Sequence, residues 1–237
     1  MENNLKGPLA LGALVAVGLA ALGYLLGSSA IRFKEYERVV TVKGLSEREV
    51  PADIAVWPIL FTGASSDLTA LYSKLEADSR QILRFLEAKG FDKGEITVNA
   101  PTITDKLAQR YGGNEQFQLR YTASQAITVY SPKIDLVRGS QNELAELGKK
   151  GIAIGGPEYQ RTEYLYTKLN DIKPGMIEEA TRKAREVAAK FAADSDSRLG
   201  KIKAANQGQF TVSDRDSNTP YVKNVRVVAT VEYYLSD

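Results

Sequence analysis

From Gly7 to Ile31 the chain carries no charge, and Lys6 and Arg32 bracket the run. At about 1.5 Å per residue, a helix of that length crosses a hydrocarbon core of ~30 Å. A soluble helix keeps a polar face, whereas PLALGALVAVGLAALGYLLGSSAI is apolar all round. Two fates suit such a segment. A secretory signal has a shorter apolar region, roughly 7–15 residues, before a small-residue cleavage site. Ser28 and Ala30 would supply such a site. The run here is longer, which favours an uncleaved anchor over residues 1–31. Residues 32–237 then form an extracytoplasmic region with room for two subdomains. Arg32, Lys34 and Arg38 oppose the inside placement of Lys6 under the positive-inside rule. Export is nevertheless the usual purpose of such a segment. The expected placement is a single-pass membrane protein with its C-terminal domain outside the cytoplasm. The alternative is release there after cleavage.

Inside the run, Gly23-Tyr24-Leu25-Leu26-Gly27 is a GxxxG, and Gly12, Ala16 and Ala20 carry small residues at four-residue spacing. Such a ridge lets helix backbones approach closely. Gly12, Ala16, Ala20, Gly23 and Gly27 are therefore the candidate helix-packing residues, with the lipid bilayer as the surrounding partner.

Histidine and cysteine are both absent from the 237 residues. That removes disulfides, thiolate nucleophiles, imidazole bases, Ser–His pairs, and His or Cys metal ligands. Any catalysis would fall to carboxylates, Lys, Tyr or a cofactor. The 31 basic and 29 acidic residues leave a net charge of +2, so no basic field marks a nucleic-acid partner. A hydrophobic share of 43% supplies one large core or two small ones.

Beyond the apolar run, ERVVTVKG alternates as a strand, with Gly44 and Ser46 as punctuation. Ala52 to Thr62 is an apolar run rich in β-branched and aromatic residues, expected as a strand, with Pro58 marking an edge or a bulge. Ser66-Asp67 offers an N-cap. Leu68, Leu71, Tyr72, Leu75, Ser79, Ile82, Phe85 and Leu86 then recur at helical steps up to Gly90. Glu95 to about Ile103 reads as a strand, and Asp105 to Asn114 as a loop. Phe117, Leu119, Tyr121, Ala123, Ile127 and Val129 alternate along a long strand with one buried face. A shorter helix follows Pro132, with Ile134, Val137, Leu144 and Leu147 inward. Ile152–Ile154 and Tyr159–Thr167 read as strands.

Pro174 is expected to open the longest helix, with Ile177, Ala180, Thr181, Ala184, Val187, Ala188 and Phe191 buried. Ala180, Ala184, Ala188 and Ala192 form a small-residue ridge for close seating on a sheet. Glu178–Arg182, Glu179–Lys183 and Glu186–Lys190 are spaced for ion pairs on the wet face. Lys201–Thr211 and Asn224–Leu235 are the last strands, with a polar loop from Ser213 to Tyr221. The irregular alternation indicates α+β, with mixed or antiparallel sheets and about three amphipathic helices after the N-terminal one.

No motif carries chemistry strongly. Glu47, Glu49 and Asp53 with Arg48 would serve as an acid/base cluster, but turn signals on both sides favour a solvated hairpin end. Asp194-Ser195-Asp196 begins like a calcium loop, but Arg198 and Leu199 occupy the positions that need Asp or Asn and Gly. Gly148, Gly151, Gly155 and Gly156 match neither a dinucleotide fingerprint nor a phosphate loop. Most of the twelve tyrosines sit at strand positions where packing accounts for them. No cofactor is implied.

Three stretches occur in a telling order. They are VTVKGLSEREVPADIA (Val40–Ala55), RYTASQAITV (Arg120–Val129), and the alanine ridge from Ala180 followed by LGKI ending at Ile202. Together they resemble the SIMPL-domain family, formerly DUF541, which includes periplasmic and outer-membrane immunogenic proteins of Gram-negative bacteria. The resemblance spans Val39 to Leu235. The family commonly has Gly-Tyr where Arg120-Tyr121 stands, and often a cleaved signal peptide in place of this longer segment. The resemblance implies an α+β fold, an extracytoplasmic location, assembly into homo-oligomeric rings or cages, and a link to envelope and oxidative-stress tolerance; with the anchor it implies a single pass through the inner membrane with the C-terminal domain in the periplasm, or release into the periplasm after cleavage. It brings no agreed catalytic residues. The expected function is that of a membrane-anchored, self-assembling envelope protein with the chain itself as partner. The alternative is a binding module for a small molecule or envelope component, its ligand unknown. An enzyme using carboxylates or Lys ranks last.

Overall fold

The structure, a computed structural model, describes residues 6–35, 38–108, 118–156 and 161–236. Phe117, Asn114 and Tyr159 lie outside the described residues. The chain opens with α1 (Lys6–Glu35), followed by β1 (Val39–Pro51), β2 (Ile54–Ser65) and α2 (Leu68–Lys89). A 3₁₀ turn (Lys93–Glu95) leads to β3 (Ile96–Val98), β4 (Thr102–Asp105) and β5 (Tyr121–Ser131). Then come α3 (Ile134–Asn142), α4 (Ala145–Lys149), β6 (Ala153–Ile154) and β7 (Glu163–Leu165). The chain closes with α5 (Leu169–Asp194), β8 (Arg198–Gln207), β9 (Thr211–Asp214) and β10 (Val222–Ser236). The fold is α+β. Two compact units divide it: Met1–Glu47 with Ile172–Thr211 and Arg226–Asp237, and Arg48–Asp171 with Val212–Val225.

In the first unit the strand order is β1-β10-β8; β9 pairs with β10 and lies, from Val212 on, in the second unit. Val42, Gly44 and Ser46 alternate inward on β1. The alanine ridge lies as expected: Met176, Ala180, Ala184, Ala188 and Ala192 are all buried on α5. Gly44 is the reason the ridge fits. A Cβ there would stand 1.8 Å from the Ala180 carbonyl oxygen and 2.5 Å from the Ala184 nitrogen. The Ser46 hydroxyl, fully buried, donates to Glu179 at 2.9 Å.

The buried stripe of α5 is narrower than the apolar spacing indicates. Val187 and Phe191 are exposed, and Thr181 is half-buried. An alanine seam brings the helix so close that only its own line is covered. Pro174 sits inside α5 rather than at its start, the helix beginning at Leu169. Glu179–Lys183 forms its ion pair at 2.7 Å, while Arg182 reaches forward to Glu186 at 4.0 Å rather than back to Glu178.

The second unit is built on β2 and β5, antiparallel without a break from Ala55↔Ser131 to Ser65↔Tyr121. β3 and β4 flank β5, and β6 and β7 flank β2. Trp57, Ile59 and Phe61 on β2 join Ile127 and Val129 on β5 beneath Leu71, Leu75, Ile82 and Leu86 of α2. Each such side chain contributes roughly 1.5–3 kcal/mol on burial. The caps of α2 are those expected: Asp67 accepts from the Ala70 N–H at 2.7 Å, and Gly90 closes the helix at φ 97°. Leu68 and Tyr72 stay exposed at its first turns. The helix expected after Pro132 is divided into α3 and α4, and the strand expected from Glu95 into β3 and β4.

Pro58 lies at neither an edge nor a bulge, because β2 is an interior strand in continuous register. β7 covers Ile54–Val56 and β6 covers Phe61–Thr62, which leaves Pro58 in the gap between them. The Leu60 carbonyl accepts from Gly155 on that flank, so the even-numbered backbone groups, Pro58 included, point away from β5. The missing N–H therefore costs the β2–β5 ladder nothing.

One ionic latch ties the end of α2 to the start of α3. The Lys133 ammonium donates to the Gly90 carbonyl (3.0 Å), Asp92 (2.8 Å) and Glu95 (3.0 Å), and Ser131 donates to Glu95 at 2.7 Å. Burial pushes the Glu95 carboxyl up, but the Asp92 N–H, Ser131 and Lys133 together outweigh it and hold it below the ordinary 4.5. A lowered folded-state pKa stabilises above the unfolded value and is lost as pH falls through the folded one. Denaturation midpoints should fall as pH drops below about 4.5, and Glu95→Gln should flatten that slope; urea titrations across acid pH measure both. Gly44→Ala should cost about 3 kcal/mol, because backbone atoms rather than a flexible side chain occupy the space. A midpoint within error of the wild type would remove that account of the β1–α5 contact.

Candidate functional site

Of α1, Leu11–Ser29 is a stretch of 19 residues with a mean hydropathy of 1.9 and no part of it buried. It is long and apolar enough to cross a membrane. Gly12, Ala16, Ala20, Gly23 and Gly27 fall within an arc of about 80° at 100° per residue. A Cβ at Gly12, Gly23 or Gly27 would meet nothing within 4 Å, so this face is open. The Ser28 hydroxyl donates to the Leu25 carbonyl at 3.0 Å, which satisfies it inside the apolar helix.

The carboxylates around Arg48 do not converge. Glu47 and Glu49 lie within β1, not at a hairpin end, since β1 and β2 belong to different sheets. Glu49 faces Arg215 at 3.5 Å. Asp53 accepts from the Thr167 N–H and hydroxyl, both at 2.9 Å, and so splices the start of β2 to the segment after β7. Gly44 marks a close approach of backbones rather than a turn, which is why the strand continues through it. Among the described residues no group of three or more acidic or metal-ligating side chains gathers at one point.

The second unit holds a polar cleft of about 690 Å³. Four separate segments line it: Trp57 of β2, the outer face of α3 from Asp135 to Asn142, Arg161–Tyr164 at β7, and the turn from Ser217 to Tyr221. The Arg138 guanidinium carbon lies 3.7 Å from the centre of the Tyr221 ring, and Asp135 holds the same group from one side at 3.2 Å. Tyr221 meets Tyr164 edge-on at 6.1 Å. Burial pushes the Tyr164 phenol up; the Arg138 charge opposes this and Tyr221 adds to it. Gln141 donates to Thr162, joining α3 to β7 across the floor.

The turn that closes the cleft is built by one carboxylate. Asp216 accepts from the backbone N–H groups of Asn218 and Thr219, each at 2.8 Å, from the Thr219 hydroxyl, and from Arg215 at 3.1 Å. The Thr219 hydroxyl, Arg215 and these amides hold the Asp216 carboxyl down at about 2. Lys223, buried in β10, reaches Asp214 on β9. What reads from its Ser, Asn and Pro content as a loose loop is a side-chain-capped turn.

The sequence profile of SIMPL, described as a protein of unknown function (DUF541), matches residues 40–233. The chain belongs to the SIMPL family. No curated protein matches it. The SIMPL match begins within β1 and ends within β10, so it takes in both sheets and leaves out α1.

The three stretches that resemble SIMPL proteins have identifiable jobs here. Val40–Ala55 carries Gly44 to the alanine seam and runs on into β2. Arg120–Val129 begins just before β5 and supplies most of it. Arg120, where Gly is common in the family, grips Asp105 through Nε (3.0 Å) and Nη2 (2.7 Å) and lies 4.9 Å over Tyr121. It thereby clamps the end of the β4–β5 ladder, whose last pair is Asp105↔Tyr121. None of the cleft residues stood out in the sequence except as members of helices, strands or a polar loop.

Asp216→Ala should loosen the turn without unfolding the unit. Amide hydrogen exchange at Asn218 and Thr219 should accelerate by at least about tenfold while the β5 amides keep their protection. In the wild type the same loosening should appear only as pH falls from 3.8 towards 2, since the folded carboxyl is the more acidic one.

Proposed function

We propose that this SIMPL protein is a membrane-tethered module that assembles with copies of itself, α1 crossing the inner membrane once and the remainder lying in the periplasm. The observation that carries this reading is β8, a ten-residue strand at the end of its sheet and exposed along nearly its whole length. A long strand at a sheet end presents backbone donors and acceptors that another strand can pair. Charged side chains ordinarily block such pairing. Arg198 and Lys201 keep the first half of β8 charged, but Lys203 is drawn back onto β10 by Glu232 at 3.3 Å, and Ala204, Ala205 and Asn206 follow as a small, uncharged stretch. The same unit exposes Val187, Phe191 and Ile202. The open small-residue face of α1 offers a second contact between copies within the bilayer. The role in this reading is structural, and among the described residues no convergent acid/base pair argues for chemistry.

A second reading concerns the other unit. Its polar cleft, with an arginine stacked on tyrosine and a turn held by Asp216, supports a small-molecule binding module.

Light scattering on the full-length protein in mild detergent, beside a chain beginning at Arg32, tests assembly. Discrete particles of several subunits are expected in both, and Ala204→Lys with Ala205→Lys should reduce them to monomers or dimers. Gly27→Leu should lower the particle mass only where α1 is present. Monomers for both unmodified chains would end the assembly reading.

A further inference from the structure

We propose that the cleft beside α3 takes a small oxyanion-bearing molecule, its carboxylate or phosphate group held between Arg138 and Arg161; this rests on reading the second unit as a binding module. A guanidinium stacked on a ring spends its face on the ring and keeps its in-plane N–H donors on its edge. That edge matches the two oxygens of a planar oxyanion. Arg138 is so placed over Tyr221. Its one carboxylate neighbour, Asp135, has a side chain 95% exposed and is a weak surface partner. An incoming anion that is partly desolvated competes with it on favourable terms.

Arg161, from the segment before β7, lines the same cleft and is exposed and without an ion-pair partner among the described residues. Two guanidinium groups against one carboxylate leave the lining positive. Asn142 and Asn218 add neutral polar groups at the rim. The support is rigid where it matters. Tyr221 is braced by Tyr164, its turn is held by Asp216, and the Gln141–Thr162 bond joins the two walls. A positive charge held in place before binding avoids part of the ordering cost that weakens flexible surface sites.

The chain supplies its own reporter, since Trp57 is its single tryptophan and lines this cleft. Full-length protein in nonionic detergent would be titrated with inorganic phosphate, benzoate and neutral benzyl alcohol. Trp57 emission and calorimetry would be followed together. At least one anion should bind in the millimolar range or tighter, with affinity falling as salt rises. Arg138→Gln and Arg161→Gln should each weaken it by about tenfold or more, with the far-ultraviolet dichroism unchanged. A bound anion that both variants keep at full affinity would overturn the site. Benzyl alcohol binding equally well, or alone, would leave a binding module but overturn the anion assignment. No heat and no emission change with any of the three would overturn both. Vesicles with and without anionic phospholipid form a further arm: a Trp57 response to vesicles but not to free phosphate would assign the oxyanion to a lipid headgroup.

Discussion

The pairing of β2 with β5 is the contact on which the second unit depends. Eleven residue pairs run from Ala55↔Ser131 to Ser65↔Tyr121 without a slip. A slip of one residue would turn Trp57, Ile59 and Phe61 out of the core and bring Pro58, Leu60 and Thr62 into it. The alternation of large apolar residues on the odd-numbered positions of both strands therefore fixes the register. Everything else in that unit is placed relative to this ladder. The α2 helix lies on the odd face, and β3, β4, β6 and β7 add to the flanks. Proline at position 58 is tolerated because the flanking strands leave a gap there.

The cleft follows from that arrangement. Trp57 projects from the central ladder, α3 follows directly from β5, and β7 pairs with the first residues of β2. Each wall is thus one connection away from the most strongly specified contact in the unit. The remaining wall comes from the turn before β10, far along the chain. It holds its place through Asp216 and through the Ala52 N–H, which donates to the Tyr221 carbonyl at 2.8 Å. A charged stack over Tyr221 is useful only if Tyr221 does not move.

Elements defined by local chemistry were legible in the sequence. The caps of α2, its inward face from Leu71 to Leu86, the alternation of β5 and the four-residue alanine spacing of α5 all rest on nearby residues. What escaped depends on partners distant in sequence. Gly44 read as turn punctuation, yet its meaning is the α5 backbone more than a hundred residues later. Phe191 and Val187 read as buried because helical spacing allows a wide apolar stripe. The width actually covered depends on how closely the seam approaches, and alanine makes it narrow. The cleft had no signal at all, because its residues come from four segments with no shared spacing.

Tethering changes what the two proposed contacts must supply. Copies confined to a bilayer meet at an effective concentration far above their average in the cell, so an edge at β8 that pairs in solution would be held more firmly still on a membrane. The stretch of β8 after Lys203 is small and uncharged rather than strongly apolar. A strongly apolar edge would associate indiscriminately in water. The small residues of α1 add little affinity each, but they would select partners already lying in the same bilayer. Specificity would then arise from coincidence: a strand edge and a helix face must engage the same neighbour. The cleft lies among residues of the other unit. Any coupling between ligand and assembly would require the ligand to bind the assembled and free chains with different affinity. Arg138 and Tyr221 are where that difference would have to originate.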